Sequence, residues 1–209
     1  MKRIGGVAIL TFVLVTFATP AEATWVSRNC FPDNHSDTYY KRSEARSYAS
    51  VADNEGYEWG GGCWNNNNVD DTPGAPDSSG EGPDCSGLVF KSWELRNSVG
   101  ASGFTWWNKF QNIHGPYSSY DFHSPVSSDP FHRISKSRSS TAIMDAFARQ
   151  GHVGMLYSTR NPSSNTDWII EAASDRSGTD VNERGYRYDS AYVAVKREGW
   201  TPECYPNCA

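Results

Sequence analysis

Apolar residues recur at helical spacing between residues 43 and 56. Ala45, Tyr48, Ala49 and Ala52 fall at i, i+3, i+4 and i+7 and make one stripe of a helix. Gly56 is a suitable stop for it. A second helix is predicted over 85–99, where Leu88, Leu95 and Val99 recur at i, i+7 and i+11. Val89 and Trp93 lie at the edge of the same face, and Gly100 follows the last turn. From residue 142 the pattern changes. The apolar runs 142–148 and 153–157 are separated by Arg149-Gln150-Gly151-His152, which predicts two strands joined by a tight hairpin. A third strand is expected over 168–172 and a fourth, of alternating character, over 186–195. Helices first and a run of strands afterwards predict an α+β protein with an antiparallel sheet.

The intervening segments carry no such period. Residues 24–41 are polar and irregular, an extended lead-in held by Cys30. Residues 64–83 are Asn, Asp, Pro, Gly and Ser almost throughout and read as a long exposed loop. Its acidic residues, Asp70, Asp71, Asp77 and Glu81, match no calcium-loop spacing. Residues 101–139 are rich in aromatics and Ser and read as a large insertion decorating the domain. Within it, Trp106, Trp107, Tyr117 and Tyr120 make either a sugar- or peptide-binding wall or the packing of the insertion itself. No internal repeat is visible.

The first residues form a separate unit. Lys2 and Arg3 give a positive start, 4–18 is almost entirely apolar, and Ala21-Glu22-Ala23 puts small residues where a signal peptidase reads. The run falls short of the ~20 apolar residues of a spanning helix. A signal peptide over 1–23 and a single domain over 24–209 are therefore expected. No Cys stands at the cleavage site to take a lipid. The predicted location is secreted, extracellular or in the cell wall, with no membrane attachment after cleavage.

Charge narrows the function. The 209 residues carry 19 Lys and Arg against 24 Asp and Glu, a net charge of −5. That disfavours nucleic-acid binding, which rests on neutralising phosphates. Five cysteines, Cys30, Cys63, Cys85, Cys204 and Cys208, are an odd number for an oxidising compartment. Four lie in loop-like settings near Pro, Gly or Asn, whereas Cys85 opens a helical run. The simplest partition makes two disulfides among Cys30, Cys63, Cys204 and Cys208, in any of three connectivities, and leaves Cys85 free. The competing partition pairs Cys85 and frees another thiol.

A thiol in the first turn of a helix faces unpaired backbone N–H groups and the positive end of the dipole. Both are expected to favour the thiolate, and the same N–H groups suit an oxyanion. A cysteine nucleophile needs a base, oriented by a third polar group. Of the five histidines, His152 has the best setting, at the start of a strand in Gly151-His152-Val153-Gly154. Glu171, alone among apolar strand residues, is the candidate to orient it. His114, His123 and His132 are spaced nine apart, and no helix or strand pattern makes them converge as a zinc site needs. No metal and no cofactor are expected.

Tyr57-Glu58-Trp59-Gly60-Gly61, Asp84-Cys85-Ser86-Gly87-Leu88-Val89, Asp145-Ala146-Phe147 and Gly151-His152-Val153-Gly154 resemble, in this order, the motifs of the NlpC-type cell-wall peptidases. These are papain-like cysteine peptidases of bacteria, and the resemblance spans about residues 43–195. It implies a papain-like fold in which the Cys85 helix packs on an antiparallel sheet bearing His152. It implies hydrolysis of an amide bond of peptidoglycan stem peptides, commonly the D-γ-glutamyl to diamino-acid bond, without a metal. It also implies that Tyr57, Asp84 and Ser86 help bind substrate. The chain departs from the family at two positions. Glu171 stands where His, Asn or Gln is usual, and Met144 where Gly is frequent. Two competing functions remain open at this level. One is a secreted papain-like amidase or acyltransferase, a toxin included, acting on a non-wall substrate. The other is a non-enzymatic, disulfide-stapled binding protein.

Overall fold

In the computed structural model, the structure describes residues 41–62, 64, 82–95, 114–160, 163–174 and 176–201. The leader, the acidic loop cluster, Trp106, Trp107, and Cys30, Cys63, Cys204 and Cys208 lie outside these residues. Helix α1 spans Arg42–Ser50, α2 Cys85–Ser92 and α3 Ser119–His123. The strands are β1 Phe131–Ile134, β2 Ala146–Arg149, β3 His152–Ser158, β4 Asp167–Ser174, β5 Gly178–Arg184 and β6 Val193–Arg197. They form one six-stranded sheet in the order β1-β6-β2-β3-β4-β5, with every neighbouring pair antiparallel. The class is α+β, as the periodicity predicts.

The period-2 alternation of the strands sorts their side chains onto two faces. Ala146, Ala148, Val153, Met155, Ile170 and Val195 pack with Ala45, Ala49, Leu88 and Val89 in the larger core. Phe147, Leu156, Ile169, Tyr192 and Ala194 form a smaller cluster on the other face. Helix α2 packs on β3 and β4, and α1 packs on α2.

Both helices end sooner than their apolar periods suggest. Helix α1 stops at Ser50, where the chain tightens into i→i+3 turns (Val51 N–H to the Tyr48 carbonyl at 3.2 Å, Ala52 N–H to the Ala49 carbonyl at 2.9 Å), and Asn54, φ 68°, then leaves with its N–H on the Thr179 carbonyl at 2.9 Å. Helix α2 stops at Ser92 because Glu94 takes φ 48°, which lets the Leu95 N–H return to the Phe90 carbonyl at 3.2 Å. The hairpin at 149–152 is present, with Arg149 opposite His152. The run 142–148 yields a strand only from Ala146, because Asp145 folds back and accepts the Ala142 N–H at 2.8 Å.

The expected fourth strand is corrected. Residues 186–191 form turns, held by the Asp189 carboxylate on the Ala191 N–H at 2.8 Å, and the strand begins at Val193. The alternating Tyr residues that suggested a strand stack instead, Tyr186 on Tyr192 at 4.0 Å. Two strands escape the pattern. β5 is polar along its length and lies at a sheet edge, and β1 has four residues. The described part of 101–139 is thus more than an insertion. Phe122 of α3 and Phe131 of β1 are fully buried and stack at 4.7 Å. Tyr117 is buried against Phe131 at 5.1 Å, so it packs the core, whereas Tyr120 is exposed.

One close approach fixes the start of α2. The loop 57–62 lies against the helix so tightly that a Cβ on Gly87 would sit 1.9 Å from the Gly61 carbonyl oxygen. Backbone cannot yield as a side-chain tip can. Gly87→Ala is therefore expected to cost about 2–3 kcal/mol and to lower the melting temperature by roughly 5–10 °C, measurable by calorimetry. An unchanged melting temperature would show that the contact is absent.

Candidate active site

The site starts from the cap of α2. Asp84 precedes the helix in extended backbone, and its Oδ1 accepts the Gly87 N–H at 2.6 Å and the Ser86 hydroxyl at 2.9 Å. Its Oδ2 accepts the Gly60 N–H at 3.0 Å. An Asp N-cap satisfies donors that the first turn leaves open, and here it also ties the 57–62 loop to the helix. Burial raises the Asp84 pKa from its ordinary value, against the Gly87 N–H, His114, Ser86 and Gly60, which lower it.

This cap presents Cys85, a free thiol that is 9 % exposed. Backbone N–H groups of Val153, Ser86 and Cys85 itself reach the sulfur. Val153, the residue that follows His152, shares the larger core with Cys85, whereas the His152 ring makes its hydrogen bond to Glu171 and none to Cys85. The expectation of a resting thiolate is corrected. Burial, and secondarily the negative charge of Asp84, push the thiol up to about 11, and the three N–H groups only partly offset them. At that value about one thiol in 10⁴ is ionised at neutral pH. Iodoacetamide alkylation of Cys85 in the free protein should therefore keep rising with pH beyond 9. A plateau below pH 8, read by mass spectrometry of the labelled peptide, would show a preformed thiolate.

His152 and Glu171 are brought together. Register places them on the same face of neighbouring strands, and His152 Nε2 lies 2.7 Å from Glu171 Oε2. Glu171 is fully buried. Its Oε1 accepts Arg184 Nε–H at 2.5 Å, and its Oε2 also accepts the Tyr186 hydroxyl. Burial acts to raise the Glu171 pKa. The hydrogen bonds from His152 and Tyr186, with the charges of His152 and Arg184, prevail and hold it below its ordinary value. An ionised Glu171 accepts a proton-bearing Nε2, so in the neutral ring the nitrogen with a free lone pair is Nδ1. Tyr186 crosses the His152 ring edge to face at 5.9 Å. Burial, then the Glu171 carboxylate, keep its hydroxyl far above its ordinary pKa and so a donor.

Arg184 and Tyr186 were not singled out by sequence. The available signal was physical: a carboxylate inside an apolar strand needs a cation and donors. Glu-Arg-Gly-Tyr at 183–186 holds the nearest set. Tyr57 lies half-buried at the start of the 57–62 loop. The three spaced histidines go to different partners: His114 to Ser86 and Asp84, His123 to Ser124, and His132 to Glu198. Among the described residues no three His, Cys, Asp or Glu side chains gather as a metal site, and no helix is long and apolar enough to cross a membrane. The chain matches no known family, no curated protein and no solved structure.

Proposed function

We propose that this chain is a cysteine amidase that hydrolyses an amide bond of peptidoglycan stem peptides through a Cys85 acyl-thioester. The observation that carries the reading is a free thiol at the Asp84-capped start of α2, in a fold whose sheet holds a histidine against the buried Glu171 carboxylate at 2.7 Å. A thiol flanked by donors and an imidazole with a bare Nδ1 are the parts that acyl transfer requires. The papain-like arrangement and the NlpC-type resemblance, carried by the Asp84-to-Val89 run, supply the substrate class. Tyr57, Asp84 and Ser86 then belong to the substrate-binding wall.

In this mechanism His152 Nδ1 takes the Cys85 proton as the sulfur attacks the scissile carbonyl. The developing oxyanion is held by main-chain N–H groups of the Cys85 turn and Val153. The C–N bond breaks and His152 returns its proton to the leaving amine. A water then loses a proton to His152 and attacks the thioester, and the sulfur leaves and is reprotonated. A resting thiol near pKa 11 fits this order, in which proton removal accompanies attack. This order requires the His152 ring, at the first residue of β3, to come within hydrogen-bond reach of the Cys85 sulfur when substrate is bound.

Digestion of purified peptidoglycan tests the reading. Mass spectrometry of soluble fragments should show new termini at one stem-peptide amide, and none with Cys85→Ala. Identical fragments from both proteins would sink it. So would recovery of Cys85 in a disulfide from unreduced protein. A Cys85 that reacts with thiol reagents and leaves the wall intact would move the activity to another amide or acyl acceptor. We also propose that the chain is exported, and amino-terminal sequencing of the secreted protein tests that, with Thr24 the expected first residue.

A further inference from the structure

A second imidazole stands beside the nucleophile turn. His114 Nδ1 lies 3.2 Å from Ser86 Oγ and 3.8 Å from Asp84 Oδ2. Its backbone N–H donates to the Gly60 carbonyl at 2.7 Å. The next residue, Gly115, presses so closely on Phe90 of α2 that a Cβ there would meet the ring at 2.6 Å. His114 is thus held from three sides, yet its side chain is 40 % exposed. By contrast Asp84 and Ser86 are 5 % and 4 % exposed, and their polar atoms are engaged with one another and with backbone.

The hydrogen-bond count fixes the ring. Ser86 has one hydroxyl proton, and it goes to Asp84 Oδ1. Ser86 Oγ can then only accept from His114, so Nδ1 carries a proton. In the neutral ring this leaves Nε2 bare, on the edge remote from the buried cap. Trp59, 85 % exposed, stands one residue before Gly60 in the same wall.

We propose that His114 is the substrate-contacting member of this cluster, an acceptor through Nε2 for an N–H donor of the peptide substrate. Asp84 and Ser86 serve the substrate-binding wall by holding the His114 ring, Ser86 Oγ at 3.2 Å and Asp84 Oδ2 at 3.8 Å from Nδ1. The proposal rests on the cysteine amidase reading and deepens it, since it names the group that meets the substrate beside Cys85. The buried Asp84 carboxylate behind the ring polarises Nδ1–H and strengthens Nε2 as an acceptor.

Two variants separate contact from structure. Asn at 114 keeps a donor toward Ser86 and has nothing at the Nε2 position. Gln carries its amide oxygen about that far out. With a soluble stem peptide containing the D-γ-glutamyl to diamino-acid bond, His114→Asn should raise KM about 3- to 10-fold, with kcat, melting temperature and the Cys85 alkylation rate near wild type. His114→Gln should restore much of the KM. An unchanged KM in His114→Asn overturns the proposal. A joint fall of kcat and Cys85 alkylation also overturns it, because His114 would then be the base. Cys85→Ala, assayed in parallel, carries the parent reading: turnover that survives it refutes the amidase, whereas Cys85-dependent turnover with a flat KM refutes only the role of His114.

Discussion

Cys85→Ala should lower turnover of stem peptide by on the order of 10⁴-fold or more while the protein stays folded. The reasoning begins with what the side chain does for the fold. Cys85 closes the edge of the larger core, and its sulfur receives N–H groups that belong to a helix start and a strand start. Ala keeps the helix-forming backbone and removes one polarisable atom, a loss of about 1 kcal/mol or less. The thioester cannot form without the sulfur, so catalysis loses its covalent route entirely. Cys85→Ser sharpens the test. A hydroxyl fits the same N–H groups and keeps the turn, but it is much harder to ionise than a thiol already pushed up to about 11. Serine should therefore be nearly as inactive as alanine. Melting curves and kcat measured on the same preparations check both statements. Turnover of either variant within tenfold of wild type would remove Cys85 from the chemistry.

The parts of the fold that announce themselves are those whose burial is one-sided. The Ala45-to-Ala52 stripe and the hairpin around Gln150-Gly151 are readable because one face is apolar and the other is not. Ends are less readable. Helix α2 continues its apolar period past Ser92, and only the backbone conformation of Glu94 ends it. β5 is hidden because an edge strand with a half-buried face needs few apolar residues. The Tyr186–Tyr192 stack imitates strand alternation while the chain turns. The site divides in the same way. The pairing of His152 with Glu171 is legible because a carboxylate alone in an apolar strand needs a partner and a strand-start histidine on the neighbouring strand supplies one. Arg184, Tyr186 and the role of His114 are not, since each depends on what a distant residue leaves unsatisfied. The ionisation of Cys85 also eludes local reading. A helix start lowers a thiol pKa, yet burial and the adjacent Asp84 outweigh it here.

In the proposed mechanism that balance asks His152 to do more than stabilise a thiolate: it removes a proton held at high pKa, so its tautomer matters more than in a preformed ion pair. Glu171 fixes the tautomer, and Glu171→Gln should therefore lower kcat about 10²- to 10⁴-fold. The amide has one oxygen and one NH2. With the oxygen toward His152 and Tyr186, the NH2 meets Arg184 Nε–H, donor against donor. With the amide turned, the NH2 meets His152 Nε2 and draws the ring proton to Nδ1, the nitrogen needed to accept from Cys85. Arg184 and Tyr186 decide between the two orientations, and either one harms the site. Tyr186→Phe removes one donor and keeps the ring packed on His152 and Tyr192, so a loss of about 2- to 10-fold is expected. The effect on stability has a definite sign. The Glu171 pKa is lower in the fold than its ordinary 4.5, so its contribution is complete above that value and is lost as pH falls through the folded pKa. Wild type should then lose melting temperature below about pH 4.5 more steeply than Glu171→Gln. Parallel slopes together with unchanged kcat would mean that the buried carboxylate neither holds His152 nor stays ionised.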